Sequence, residues 1–180
     1  IILKDETVPY ENNDVISEDN IESYFVWIPR YRYKIFNDET YSGLTEVEDR
    51  VQTIEVEFES KYTTPSNGTK KNEWLTHPAF TSFNSNVMWV GKFETSKLNT
   101  APDNSRNAEG VQIKPNVTSW RNIQVGNAFY TSYYYKREVD SHMMKNSEWG
   151  AASYLQHSKY GSEVSVRFNN NSNFIAGYAS

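Results

Sequence analysis

Three histidines are the side chains of this sequence best suited to acid–base chemistry or metal binding. His77 directly precedes Pro78, and His142 and His157 lie in the last quarter of the chain. No pair has the i, i+4 spacing that places two ligands on one helix face, so the spacing indicates no zinc site. Isolated histidines are usually structural, and we expect the same here. The absence of cysteine excludes disulfides, thiolate zinc sites and a cysteine nucleophile.

Carboxylates offer a second kind of chemistry, because two acidic side chains a few ångströms apart can hydrolyse a glycosidic bond. Glu94, Asp140 and Glu148 could supply such a pair, but nothing in the sequence brings two of them together. There is no Gly-x-Ser-x-Gly elbow, glycine-rich phosphate loop or EF-hand series. We therefore expect a protein that is not an enzyme and has no cofactor, and we keep a hydrolase with an unrecognised carboxylate site as an alternative.

Tyrosines form the most distinctive cluster. Tyrosine gives a large contact area at low entropic cost and carries a hydroxyl group, so exposed tyrosines are typical of binding surfaces. The alternative is that these rings form the core, although three successive residues cannot all face inward from a helix. The candidate ligand-binding residues are Asn127, Tyr130, Tyr134, Tyr135 and Arg137.

Charge is unevenly distributed along the 180 residues. Residues 1–60 hold fifteen acidic and five basic side chains, whereas residues 61–180 hold eight acidic and thirteen basic ones. We interpret residues 1–22 as an acidic N-terminal arm that is ordered only if something packs on it. Either the arm is simply solvated, or it docks on the basic part of its own or a neighbouring chain. The net charge of −5 argues against nucleic acid as a partner.

No apolar run approaches the roughly 20 residues of a membrane helix, so we expect no membrane insertion. The sequence begins at Ile1 rather than Met, which is compatible with the removal of an export or anchor segment.

The elements that must position these residues are short strands followed by two helices. Apolar or alternating patterns predict strands at 24–29, 30–35, 51–58, 87–94, 111–114 and 164–168. The first helix is predicted to follow an N-cap at Ser119, to run from Trp120 to about Tyr134, and to be deeply buried. The second is predicted to begin after Asn146 or Ser147 and to reach Tyr160, with Gly161 as a left-handed C-cap. This order of elements is typical of the α+β class.

Three segments in the same order resemble the C-type-lectin-like domains of the formylglycine-generating-enzyme, or sulfatase-modifying-factor, family. VGKFETS at 90–96 is similar to an early strand of the family, and VTSW at 117–120 with VGNAF at 125–129 is similar to its first helix. MMKNSEWGAA at 143–152 is similar to its second helix. Residues 24–168 also resemble a group of Firmicute and prophage proteins.

This resemblance implies a C-type-lectin-like fold over residues 23–180, with a small twisted, mainly antiparallel sheet, two helices and long irregular loops. Trp120, Trp149 and Trp89 would then be structural anchors that bury large aromatic area. The enzymes of the family oxidise a substrate cysteine with cysteines and copper, so the absence of cysteine excludes that activity. The calcium-dependent sugar motifs of C-type lectins are also missing. A late Trp-containing segment of the family is absent as well, so either the chain is a truncated fragment or the last strand of the domain comes from elsewhere.

Phage tropism determinants use the same fold without catalytic residues to display a ligand-binding face. By this analogy, we expect a non-enzymatic binding or adhesion module, extracellular on a bacterial surface or a virion. Its partner would be a host-surface glycan or protein. The alternative is a structural subunit of a filament, pilus or virion that self-associates through the arm and an open sheet edge.

Overall fold

The computed structural model describes residues 1–35, 54–69, 72–98 and 104–162. The architecture is α+β, as predicted, with short antiparallel strand pairings and three helices among these residues. The strands are β1 (Ile2–Leu3), β2 (Ile21–Ser23), β3 (Phe25–Pro29), β4 (Tyr31–Lys34), β5 (Glu55–Phe58), β6 (Leu75–Thr76), β7 (Val87–Gly91), β8 (Ser96–Lys97) and β9 (Val111–Gln112). The helices are α1 (Pro78–Thr81), α2 (Val125–Tyr135) and α3 (Asn146–Gln156).

The chain divides into two compact units. Unit one comprises Ile1–Ile28 and Val87–Lys145, and unit two comprises Pro29–Asn86 and Asn146–Ser180. The boundary predicted between an arm and a domain at residue 22 falls inside unit one. None of the three helices in the described part of the chain has the length and apolar character that crossing a bilayer requires.

In unit one, the first residues of the chain are held by strand pairing. β1 pairs antiparallel with β2, and the register shifts between Ile2 and Leu3. β2 is joined in turn to the segment after β9, because the amide of Ile113 donates to the Ser23 hydroxyl oxygen at 3.0 Å. Ile21, Val111 and Ile113 are buried here. Residues 1–22 are therefore ordered by packing within their own chain.

Helix α2 begins at Val125, five residues later than predicted. Asn122 has a φ of 60°, in the left-handed region, which interrupts any helix that starts near Ser119. The Trp120 amide instead donates to the Thr95 carbonyl at 2.9 Å. The predicted deep burial is also wrong, since Thr131 is the only residue of α2 that is fully buried. Local propensity could not show which face of this aromatic helix would be covered.

Unit two contains a three-stranded antiparallel sheet in the order β5-β4-β6. The alternating pattern predicted both β4 and β5, and their register pairs Arg32 with Glu57 and Lys34 with Glu55. Ion pairs of 2.6 Å and 3.1 Å join these residues across the strands. One face of the sheet is therefore charged, and the tyrosines of β4 lie on the other.

The apolar face of this sheet is buried with α1 and α3. Tyr31 is completely buried, and its hydroxyl donates to the Ala151 carbonyl in α3 at 2.6 Å. Phe80 of α1 is also completely buried and contacts Tyr31 edge to face. His77 is the N-cap of α1, with Pro78 in its first turn. The positions of helices α1 and α3 thus depend on side chains of β4.

A buried ion pair joins the residue that precedes β4 to the residue that follows β5. Arg30 Nε and Glu59 Oε2 are 3.0 Å apart, and both side chains are almost fully buried. The Thr76 hydroxyl donates to Glu59, and Arg30 Nη2 donates to the Thr63 carbonyl at 3.2 Å. Because both charges are hydrogen-bonded, their desolvation is offset.

Helix α3 begins at Asn146, whereas the prediction placed its start after Asn146 or Ser147, and it ends at Gln156 rather than Tyr160. Gly161 is not a left-handed C-cap directly after this helix. Its special requirement is space, because a Cβ there would lie 2.0 Å from the Gln156 carbonyl oxygen. The strand predicted at 164–168 lies outside the described residues.

Candidate functional site

Helix α2 presents most of its aromatic side chains to solvent. Thr131 is buried and Tyr135, one turn later on the same face, is partly buried. Phe129, Tyr130 and Tyr134 are 48%, 39% and 53% exposed. The helix therefore packs against the rest of unit one through Thr131 and Tyr135, and most of its large rings remain accessible to solvent.

Four of these rings form a continuous group, which we call the aromatic surface: Phe129, Tyr130, Tyr133 and Tyr134. Phe129 and Tyr133 are stacked with an interplanar angle of 6°, and Tyr130 and Tyr134 with an angle of 14°. In both pairs the ring centroids are 6.4 Å apart. The i, i+4 spacing of a helix places each pair on neighbouring turns, so the rings repeat along its axis.

Two arginines lie over this surface. The guanidinium carbon of Arg106 is 4.5 Å from the centroid of Tyr130, and that of Arg137 is 5.1 Å from the centroid of Tyr133. Arg137 was predicted from the sequence as a binding residue. Arg106 was missed, because it lies in a polar segment far from α2 in sequence and no local pattern links the two.

The segment that carries Arg106 is fastened to the start of α2 by an asparagine pair. Asn127 Nδ2 donates to the backbone carbonyl of Asn104 at 2.6 Å and to its side-chain oxygen at 2.9 Å. The same Asn104 oxygen accepts from the Gln124 amide at 2.8 Å, where the Gln124 side chain makes no capping bond. Asn127, a predicted ligand-binding residue, thus uses its amide donors to position this segment.

Tyr135, another predicted ligand-binding residue, is not part of the aromatic surface. Its hydroxyl lies 2.6 Å from the Ser23 hydroxyl and donates to Glu22 Oε1 at 2.8 Å. Burial raises the pKa of Tyr135 well above its ordinary value. Because its hydroxyl group is hydrogen-bonded to two residues of β2, Tyr135 holds the N-terminal residues of the chain against α2.

The acidic N-terminal segment makes further contacts in unit one. Lys136 Nζ donates to Glu6 Oε1 at 2.7 Å, and this hydrogen bond raises the pKa of Lys136. Lys114 Nζ donates to the Glu18 carbonyl at 3.2 Å. Of the two interpretations of the charge pattern, docking on the same chain is the one that these contacts support.

The predicted burial of two of the tryptophan anchors is wrong. Trp149 is 66% exposed and Trp89 is 61% exposed. In α3 the buried positions are Glu148 and Ala151, and Trp149 lies about 100° around the helix from Glu148. In β7, Trp89 shares the exposed face with Gly91. Trp120 is half-buried, with Lys97 Nζ 4.7 Å from its ring centroid.

His77 is a structural histidine of unit two. Its Nδ1 accepts from the Ala79 amide at 3.2 Å, so the neutral ring carries its proton on Nε2. Burial lowers its pKa to about 4. A Cβ added to Gly150 would lie 3.6 Å from Nε2, which shows how closely the ring approaches α3.

The remaining candidates for chemistry are dispersed. Asp140 ends a 3₁₀ turn with a φ of 58° and is exposed, with one carboxylate oxygen 3.8 Å from His142 Nδ1. Glu94 is exposed, and Glu148 is buried in α3. Within the four described ranges, no three His, Asp or Glu side chains are grouped so that they could hold a metal ion.

Comparison with known proteins gave no relative from which a function could be transferred. The chain matches no protein-family model, no curated protein and no solved structure. Any functional conclusion therefore depends on the residues and contacts described above.

Proposed function

We propose that this chain is a non-enzymatic ligand-binding module of C-type-lectin-like architecture, and that the aromatic surface of α2 is its contact face. The α+β architecture with small antiparallel sheets is compatible with that fold. The observation that carries the binding role is the exposure of several large rings on one helix. A surface helix normally buries its apolar side chains against the core of the protein. Exposed aromatic groups with polar rims are typical of interaction sites.

The chemistry of the surface suits a carbohydrate or a protein ligand. Tyrosine rings offer flat apolar faces together with hydroxyl groups, and the two arginines add hydrogen-bond donors at the rim. We propose a glycan or protein of a host surface as the partner. This role places the chain outside the cell, on a bacterial surface or a virion.

A structural role in a filament, pilus or virion is the second candidate. It is favoured by the pairing of β3 with β7, which leaves Trp27 and Trp89 more than half exposed. Exposed apolar side chains on a short sheet promote pairing with another chain. Light scattering on the same samples used for binding shows whether the chain associates with itself.

Binding to a glycan array tests the proposed function. We expect Tyr134→Ala to weaken the bound signal about fivefold or more, since truncation of an aromatic anchor commonly costs more than about 1 kcal/mol. Tyr62→Ala is the matched control, because Tyr62 is 85% exposed and belongs to unit two. Circular dichroism checks that both variants keep their helices. Equal binding by the wild type and Tyr134→Ala would refute the role of the aromatic surface.

A further inference from the structure

The two arginines over the aromatic surface have no acidic partner among the described residues. Arg106 and Arg137 make cation–π contacts with Tyr130 and Tyr133, and neither forms an ion pair within the described ranges. Lys136, which lies next to Arg137 in sequence, is by contrast paired with Glu6. The surface therefore combines exposed rings with two cations whose charge the described part of the chain does not neutralise.

A guanidinium that lies over an aromatic ring can still bind an anion. A guanidinium contacts the face of an aromatic ring and keeps N–H donors available at its edge. Those donors match the two oxygens of a carboxylate in a bidentate geometry. Arg106 lies over the ring of Tyr130 and Arg137 lies over the ring of Tyr133, which is three residues or about one helical turn further along α2.

The repetition of the rings indicates a ligand that also repeats. The pairs Phe129–Tyr133 and Tyr130–Tyr134 place nearly parallel rings at successive turns of α2. A polymer of sugar rings can lie along such a series and contact several exposed aromatic side chains in turn. A peptide that binds through a single anchor would not need this repetition.

The overall charge distinguishes among anionic polymers. A chain with a net charge of −5 repels a dense polyanion, and single-stranded nucleic acid carries a phosphate on every nucleotide. Two guanidiniums can instead match an acidic polysaccharide in which a carboxylate recurs only on every second sugar. Charge complementarity therefore favours the sugar polymer.

We propose that the aromatic surface binds an acidic polysaccharide, with sugar rings packed against the exposed Tyr134 and uronate carboxylates paired to Arg106 and Arg137. This inference rests on the proposed function and names the chemical class of its ligand. Asn127 and Asn104 contribute by positioning, because they fasten the segment of Arg106 to the first turn of α2.

The test is the affinity of the full chain for a hexasaccharide of alternating glucose and glucuronate and for its fully methyl-esterified form, measured by calorimetry at low and high salt. The ester keeps the sugar rings and removes the charge. We expect the acid to bind about tenfold more tightly than the ester, with a difference that shrinks at high salt.

Charge-removing variants assign this difference to the two arginines. The double variant Arg106→Gln/Arg137→Gln should bind the acid about as weakly as the ester, while its affinity for the ester stays within about twofold of the wild type. Lys61→Gln is the control, since Lys61 Nζ lies 5.0 Å from the centroid of the Tyr62 ring, outside the aromatic surface. It should leave both affinities unchanged.

Several results would overturn the inference. Equal affinity for acid and ester that is lost in Tyr134→Ala would reject the acidic ligand and keep the binding role of the surface. Tighter binding of hexaglutamate or of a six-nucleotide oligothymidine would assign the surface to a peptide or a nucleic acid. A failure to bind either saccharide would reject the acidic polysaccharide, and the glycan array would then decide the proposed function separately.

Discussion

Acidification should destabilise unit two, because its core contains an uncharged histidine. His77 is 4% exposed, and the titratable rings that contact it are tyrosines. The rings around it are Tyr31, Tyr33, Phe80 and Tyr154, with centroids 5.3 to 6.3 Å from the imidazole. Nothing in this group stabilises an imidazolium by ion pairing, so burial alone determines the direction of the pKa shift.

The magnitude follows from the two pKa values. The pKa of His77 is about 4 in the folded chain and about 6.5 when it is exposed to solvent. Between these values the unfolded chain binds more protons, so the free energy of unfolding falls as the pH is lowered. The loss relative to pH 7 is about 2 kcal/mol at pH 5 and about 3 kcal/mol at pH 4.

Urea unfolding at pH 7, 6, 5 and 4 measures this loss, with hydrogen exchange of α1 and α3 peptides reporting on unit two. The informative variant is His77→Asn, which keeps a side-chain acceptor for the first turn of α1 and cannot titrate. It should be less stable than the wild type at pH 7, but its free energy of unfolding should depend less on pH by the amounts given above.

His157→Asn is the control for the loss of a histidine in the same unit. It should retain the pH dependence of the wild type, because His77 is unchanged in this variant. If wild type and His77→Asn lost the same free energy of unfolding between pH 7 and pH 4, the assignment of a buried neutral histidine would be refuted.

Two further predictions concern stability. Glu59→Ala should lower the free energy of unfolding by about 3–5 kcal/mol, because it leaves Arg30 buried without its carboxylate partner. Glu57→Ala removes an exposed ion pair and should lower it by less than about 1 kcal/mol. Equal losses for the two variants in urea unfolding would contradict this prediction. Gly126→Ala should stabilise α2 by about 0.5–1 kcal/mol, since no atom of the described residues lies within 4 Å of the added Cβ. Gly68→Ala should destabilise the chain, since its Cβ would lie 2.6 Å from a backbone carbonyl oxygen. A higher melting temperature for Gly68→Ala than for Gly126→Ala would be inconsistent with these contacts.

Sequence periodicity predicted the elements whose two faces differ sharply. β4 and β5 alternate charged and apolar residues, and the described parts of both strands lie where the alternation placed them. The start of α3 was predicted to within one or two residues, because its polar first turn is a local signal. The start of α2 was not, since Asn122 adopts a left-handed conformation that nothing in its neighbours requires.

The candidate site was predicted only in part. Tyr130 and Tyr134 were identified from an aromatic cluster that lies within a single helix, and Arg137 from its position directly after that cluster. Arg106 was not, because its contact with Tyr130 depends on a segment fastened by Asn104 rather than on sequence spacing.

The sequence by itself determined the class of fold, the alternating strands and the concentration of aromatic residues between 129 and 135. Tertiary packing decided which tyrosine rings are covered. The hydroxyl of Tyr135 donates to Glu22 and that of Tyr31 donates to the Ala151 carbonyl, whereas Tyr134 remains exposed. The physical reason is that burying a tyrosine requires a partner for its hydroxyl group. That partner comes from residues more than one hundred positions away, and no local pattern reveals it.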